Sequence, residues 1–387
     1  MQKYLSSLFL LSPLIIGIVW QIYSLQFLNQ GIFWDLGIYE KAVAVFNQDG
    51  NPYELNGYLS FVYHPLVLRF MALFGDYLGL VLIGFYSLSL LFFIRSLGSN
   101  RSWWLYTFLA FAYCGIGTIS IGSGNVTAYF HLVLLSILLS HISNSASTAI
   151  TQRPSFTGFI LAVLLFSLVK PYLLAYLLIP LVMTWKSAKQ KSTWTLTFVV
   201  GFFLAIILLW SSLYFGAEFQ AFLAAVQGQT IGKHDLGYGL VMYFYEYYSS
   251  AGPLIYRAFV LHFAILSALI LAILYLANRS QLIHKDKGHF ALLLYFLLTI
   301  LNPRLKVYDL FPALIALFIY ASALNQSKVF KVLFTFAYAL SLSQLAGTPL
   351  FAHTGILSDP LNVYYLTMGL ILLGIAPNFL GHKPLKT

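Results

Sequence analysis

Long apolar runs separated by short polar segments set the pattern of this chain, and they predict membrane-spanning helices. A span needs about 20 mostly apolar residues, and such runs lie near 8–28, 77–97, 103–121, 125–142, 155–170, 171–185, 193–215, 253–277, 289–302, 307–323, 328–345 and 361–380. The expected fold is therefore an all-α polytopic membrane protein with about twelve transmembrane helices, and ten to thirteen as the range. The fifth and sixth runs are short and meet at Lys170-Pro171, where proline removes a backbone donor and breaks a helix. They are either two crossings or one re-entrant pair. The run 8–28 follows Lys3, exceeds a signal-peptide core and lacks a small-residue cleavage site, so it is expected to remain as the first span. No internal repeat, low-complexity tract or separate soluble domain interrupts the pattern, which makes 1–387 a single membrane domain.

The polar positions gather in three segments, 29–76, 216–252 and 346–360. In the first, Leu36, Tyr39, Val43 and Phe46 share one helical face, which predicts an amphipathic helix along the membrane surface. The turn sequence Asp49-Gly50-Asn51-Pro52-Tyr53 ends it. A second short apolar stretch, Val62 to Arg69, would face that helix and frame a cleft at the membrane edge.

Composition strengthens the membrane reading: 60% of the residues are hydrophobic and 8% are charged, where a soluble chain carries roughly a quarter charged. A net charge of +10 would suggest a nucleic-acid partner on a soluble protein, but no polar face is available to host one. The excess reads instead as topology. With the N-terminus inside, fourteen of the 21 basic residues fall in inward segments with one acid, Asp286. The outward segments hold Lys41, Arg69, Lys170, Lys233, Arg257, Arg304 and Lys306 together with ten of the 11 acids. Both termini are thus expected in the cytoplasm, with 29–76 and 216–252 as the first and second extracytoplasmic loops. The lone Cys114 excludes an internal disulfide and reads as a small buried side chain.

Asp35-Leu36-Gly37-Ile38-Tyr39, Gly50-Asn51-Pro52-Tyr53-Glu54 and Tyr63-His64-Pro65-Leu66 together resemble the opening signature of glycosyltransferase family 87. The resemblance continues at Gly122-Ser123-Gly124-Asn125, at Lys170-Pro171 and at Asn302 to Asp309, and so covers most of the chain. It implies a GT-C-like architecture in a bacterial inner membrane. The implied activity is inverting transfer of a hexose, often mannose, from a polyprenyl-phosphate carrier to an extracytoplasmic glycolipid, polysaccharide or protein acceptor. The lipid-linked sugar is a substrate, and neither a cofactor nor a metal is expected. Where several mannosyl-transferring members carry a tryptophan and a histidine pair, this chain has Lys306, Tyr308 and Asp309, so the resemblance leaves the sugar open.

Such chemistry needs a general base for the acceptor hydroxyl and cationic or hydrogen-bonding groups for the leaving phosphate. The resemblance makes Asp35 the base; the other reading is that Asp35 caps the following helix. Lys170, Arg304 and Lys306 are the cations for the phosphate, against a snorkelling role for Lys170 and an ion pair with Asp309 for the other two. Tyr39, Tyr63 and Asp309 enter the substrate-binding set through the motifs that contain them. His64 offers an imidazole or is a packed loop residue, and Asn125 orients a sugar hydroxyl or caps a helix. His234, beside Asp235 and a run of tyrosines, contacts an acceptor or belongs to an interfacial aromatic belt. The competing function is a transporter or lipid flippase, because a dozen spans with charges at membrane depth also describe carriers.

Overall fold

The computed structural model describes residues 33–54, 61–97, 118–147, 156–184, 191–231, 241, 255–279 and 287–323. Among them 87% are helical and no strand occurs. The elements are α1 (Trp34–Asn47), α2 (Pro65–Ala72), α3 (Leu78–Ser96), α4 (Thr118–Gly122), α5 (Val126–Ser147), α6 (Thr157–Ser167), α7 (Leu178–Thr184), α8 (Lys191–Tyr214), α9 (Gly216–Ile231), α10 (Ile255–Arg279), α11 (Lys287–Ile300) and α12 (Val307–Ala323). Short 3-10 turns cover Pro52–Glu54, Gly75–Tyr77 and Pro171–Leu177. The expected spans 8–28, 328–345 and 361–380, most of 103–121, Cys114, the segment 346–360 and His234 lie outside the described residues.

Helices α5, α11 and α12 pack on one another at the centre. Their apolar residues run round the whole helix, as in Leu292–Leu297 and Ala313–Leu317, and are almost completely buried, as expected of helices hydrophobic on every side. Among the described residues three helices are long and apolar enough to cross a membrane: Gly75–Ser96, Trp194–Tyr214 and Arg257–Leu276. They fall on the expected spans 77–97, 193–215 and 253–277. Each keeps large side chains exposed, including Leu88 and Leu91, Phe202 and Trp210, and Val260 and Leu271. Water would penalise such contiguous apolar faces by about 25 cal/mol for every Å², whereas lipid does not. This points to a membrane protein.

Val126–Ile142, Thr157–Ser167, Pro171–Thr184, Gly288–Ile300 and Tyr308–Leu317 are apolar helices shorter than that length. At Lys170-Pro171 the chain leaves α6, Lys170 is extended (φ −133°, ψ 90°), and a 3-10 turn follows. The helix that the periodicity predicts in 29–76 forms with its apolar face inward: Tyr39 and Val43 are buried, Leu36 and Phe46 partly so. It ends at Asn47, with Asp49 in the left-handed region (φ 58°). Helices α1 and α2 pack together. The segment read as a second loop is not all loop: its first part is α9, which packs on α2 and on the Pro52–Glu54 turn.

Candidate functional site

The start of α1 is stitched to the turn that precedes α5. Phe33 and Asp35 donate their backbone N–H groups to the Gly122 and Ser123 carbonyls at 2.7 and 2.8 Å. Phe33, the N-cap residue, is itself left-handed (φ 62°). Gly124, also left-handed at φ 69°, is indispensable to this joint: a Cβ there would lie 2.8 Å from the Phe33 Cβ and 3.0 Å from its Cα. Gly124→Ala is expected to destabilise the protein by more than about 1 kcal/mol, because an L-residue is strained in this conformation and the backbone of Phe33 has to move. A thermal midpoint in detergent measures it; an unchanged midpoint would contradict the joint.

The joint sets Asn125 against Asp35. Asn125 Nδ2 donates to Asp35 Oδ2 at 2.7 Å, while Asn125 Oδ1 accepts from the Thr127 N–H and so caps α5. The two roles weighed for Asn125 from sequence are thus not exclusive: it caps, and it also orients a carboxylate. Asp35 is 8% exposed and lies in the first turn of α1, where its charge suits the helix dipole. The N-cap position belongs to Phe33, without a side-chain cap bond.

Beside Asp35 lies a pair of tyrosines. The Tyr39 and Tyr63 hydroxyls are 3.0 Å apart and their rings meet edge to face. Burial pushes both phenols well above their usual range; Asp35 adds to the effect on each, and Asp309 adds to that on Tyr63. Lys170 Nζ sits 4.4 Å from the centroid of the Tyr63 ring, a cation–π contact. The half-buried Lys170 thus faces a protein ring rather than only snorkelling.

Asp309, 1% exposed, anchors the neighbouring network. It accepts from Tyr172 Oη at 2.6 Å, Asn302 Nδ2 at 3.2 Å and the Lys306 backbone N–H at 3.1 Å. His131 Nε2 is 3.3 Å from the same carboxylate, and its Nδ1 meets the Tyr295 hydroxyl at 2.6 Å. Tyr176 joins at His131, with its hydroxyl 3.4 Å from Nδ1, and also meets Thr299 Oγ1 at 2.6 Å. The Arg304 backbone N–H binds Asn302 Oδ1, which tightens the Asn302-Pro303-Arg304 turn. His131, Tyr172, Tyr176 and Tyr295 were not among the residues singled out from sequence. His131 interrupts an apolar run and its partners are 41 to 178 positions away, so no local pattern marks it.

His64 takes the loop role. Its Nδ1 accepts from the Leu66 N–H and caps α2, and Nε2 lies 3.2 Å from Ser212 Oγ. Burial lowers its pKa, so protons bind the unfolded chain more readily than the folded one. The stability contributed by neutral His64 is complete above the unfolded value of about 6.5 and is lost as pH falls through the depressed folded value. Protonated Nδ1 also cannot accept the Leu66 N–H. Between about pH 7 and about pH 5 the wild type is expected to lose more thermal stability than His64→Asn, which caps without titrating; parallel curves for the two proteins would contradict this.

The structure therefore brings Asp35, Tyr39, Tyr63, Asn125, Lys170 and Asp309 to one end of the bundle, where the N-termini of α1, α5 and α12 meet. Lys306 joins through its backbone, and His64 stands at the rim. A buried carboxylate, a lysine ammonium, phenol donors and helix N-termini can together take a proton and hold an anion. The fold and this site define a class, an all-helical membrane protein with a polar site at one end of its helix bundle. Compared with protein-family models, with curated proteins and with solved structures, the chain matches none.

Proposed function

We propose that the protein is a membrane glycosyltransferase that moves a hexosyl group, mannosyl among the possibilities, from a polyprenyl-phosphate carrier to an extracytoplasmic acceptor. The observation that carries the reading is the buried Asp35 carboxylate, fixed by Asn125, beside a Lys170 ammonium that rests on Tyr63. In the proposed reaction Asp35 takes the proton of an acceptor hydroxyl and the freed oxygen attacks the anomeric carbon. The bond from that carbon to the phosphate oxygen breaks, and its electron pair leaves with the polyprenyl phosphate. Attack opposite the leaving group inverts the anomeric centre. Lys170 and Arg304 stabilise the departing phosphate, as cations do for developing oxyanions, and the helix N-termini add to the field.

This reading includes a GT-C-like scaffold of about twelve spans in a bacterial inner membrane. The partition of basic residues supports placing both termini in the cytoplasm and the site outside. Acceptors are a glycolipid, a polysaccharide or a protein. Lys170→Met is expected to raise the donor KM by roughly 10-fold or more, the loss of about one charge-assisted contact, with a smaller effect on acceptor KM; an unchanged donor KM would remove Lys170 from the phosphate site.

One observation favours a second reading, a transporter or flippase: the buried His131–Asp309 pair inside the helix bundle resembles the paired ionisable groups of carriers. Purified protein reconstituted in vesicles with a polyprenyl-phosphate hexose separates the two. Release of polyprenyl phosphate only when an acceptor is present supports the transferase. Movement of the intact lipid across the bilayer without release supports the carrier.

A further inference from the structure

A cavity of about 570 Å³ opens between the first-loop segment and α9, and Asp35 is not among the residues that line it. Its walls include Phe46, Asp49, Tyr53, Arg69, Glu218 and Ala221. Arg69 Nη2 binds Glu218 Oε1 at 2.6 Å, and both side chains stay more than a third exposed. The guanidinium is clamped between rings, 4.2 Å from the Phe215 centroid and 5.0 Å from that of Phe46. The contact is end-on, so Arg69 Nε and Glu218 Oε2 are covered yet bond no protein group. The parts of both side chains that stay exposed put a charged donor and a charged acceptor side by side on the cavity wall.

Two acids and one base make the charge of this wall net negative, which disfavours a phosphate or carboxylate ligand. A neutral polyol suits it better, because hydroxyls both donate to Glu218 and accept from Arg69 while Phe46, Tyr53 and Leu68 supply apolar lining. The cavity also adjoins the first site. Tyr53 lines it and donates its hydroxyl to the Tyr63 carbonyl at 2.9 Å, and Tyr63 carries Lys170 on its ring. Along α1 the eleven residue steps from Asp35 to Phe46 span about 16 Å at helical rise, a distance that a short glycan chain bridges.

We infer that this cavity is a distal subsite for a neutral oligosaccharide, the part of the acceptor remote from the attacking hydroxyl. The inference rests on the transferase reading for the word acceptor, but the binding itself does not. The test is therefore equilibrium binding to the full chain in detergent carrying Asp35→Asn, which removes turnover. The probes are mannotetraose, cellotetraose, free mannose and tetragalacturonate. A neutral tetrasaccharide is expected to bind at least 10-fold more tightly than mannose or tetragalacturonate. Ala221→Trp, which fills the cavity, is expected to weaken it at least 10-fold while Ala221→Ser does not; Glu218→Gln gives a second variant with unchanged shape and is expected to weaken it several-fold. A tetrasaccharide carried on a short lipid that binds more tightly than the free one assigns the source to a glycolipid headgroup, and equal binding assigns it to a soluble glycan. No binding of either neutral tetrasaccharide, tighter binding of tetragalacturonate, or full binding in both Ala221→Trp and Glu218→Gln would overturn the assignment. Tetrasaccharide binding without any transfer by the wild-type protein would keep the subsite and remove the transferase reading.

Discussion

Asp35→Asn is expected to lower sugar transfer by roughly 10²–10⁴-fold, the usual contribution of a positioned general base, while the protein remains folded and membrane-inserted. The amide keeps the size of the carboxylate. It cannot take the acceptor proton, and one of its ends can still meet Asn125 if that side chain turns. The loss should therefore appear in kcat, with donor KM little changed, because Lys170 and the helix N-termini are left in place. A thermal midpoint close to that of the wild type separates loss of chemistry from loss of fold. Full activity in the variant would remove Asp35 from the role of base.

The largest structural effect is expected from Asp309→Ala. Asp309 and His131 are 1% and 0% exposed, and the carboxylate accepts from three protein donors. Removing this shared acceptor costs about 1–3 kcal/mol for each buried donor left without a partner. Tyr172, Asn302 and the α12 N-terminus would lose a common acceptor, and the Lys170-Pro171 break would lose its tie to α12. The thermal midpoint in detergent should fall further for Asp309→Ala than for Asp309→Asn, which retains an acceptor oxygen. Equal stability of Asp309→Ala and the wild type would mean that the network does not hold these helices together.

Several parts of this arrangement were legible in the chain. The i, i+3, i+7, i+10 spacing of Leu36, Tyr39, Val43 and Phe46 gives the buried face of α1, and Asp49-Gly50 gives its end, because a left-handed residue follows the last turn. Lys170-Pro171 marks the break because proline cannot continue the ladder. Gly124 could be noticed as part of a motif, but its reason lies in the approach of Phe33, which is 91 positions away. The same limit applies to His131, Tyr172 and Asp309, which meet only after α5, the 3-10 turn and α12 have packed. Residues 216–231 read as polar loop because alanine and glutamine lower the hydropathy, yet both are good helix formers and the segment is α9.

The central claim is transfer of a sugar from a lipid phosphate with Asp35 as base, and its most direct measurement is the anomeric configuration of the product. Purified protein, an α-linked polyprenyl-phosphate hexose, its β-linked counterpart and a glycan acceptor would be incubated, and the new glycosidic linkage read by NMR. The account predicts one linkage only, opposite in configuration to the donor that is consumed, with one polyprenyl phosphate released for each linkage formed. A product that retains the donor configuration, or the absence of any new linkage with either donor, would contradict it.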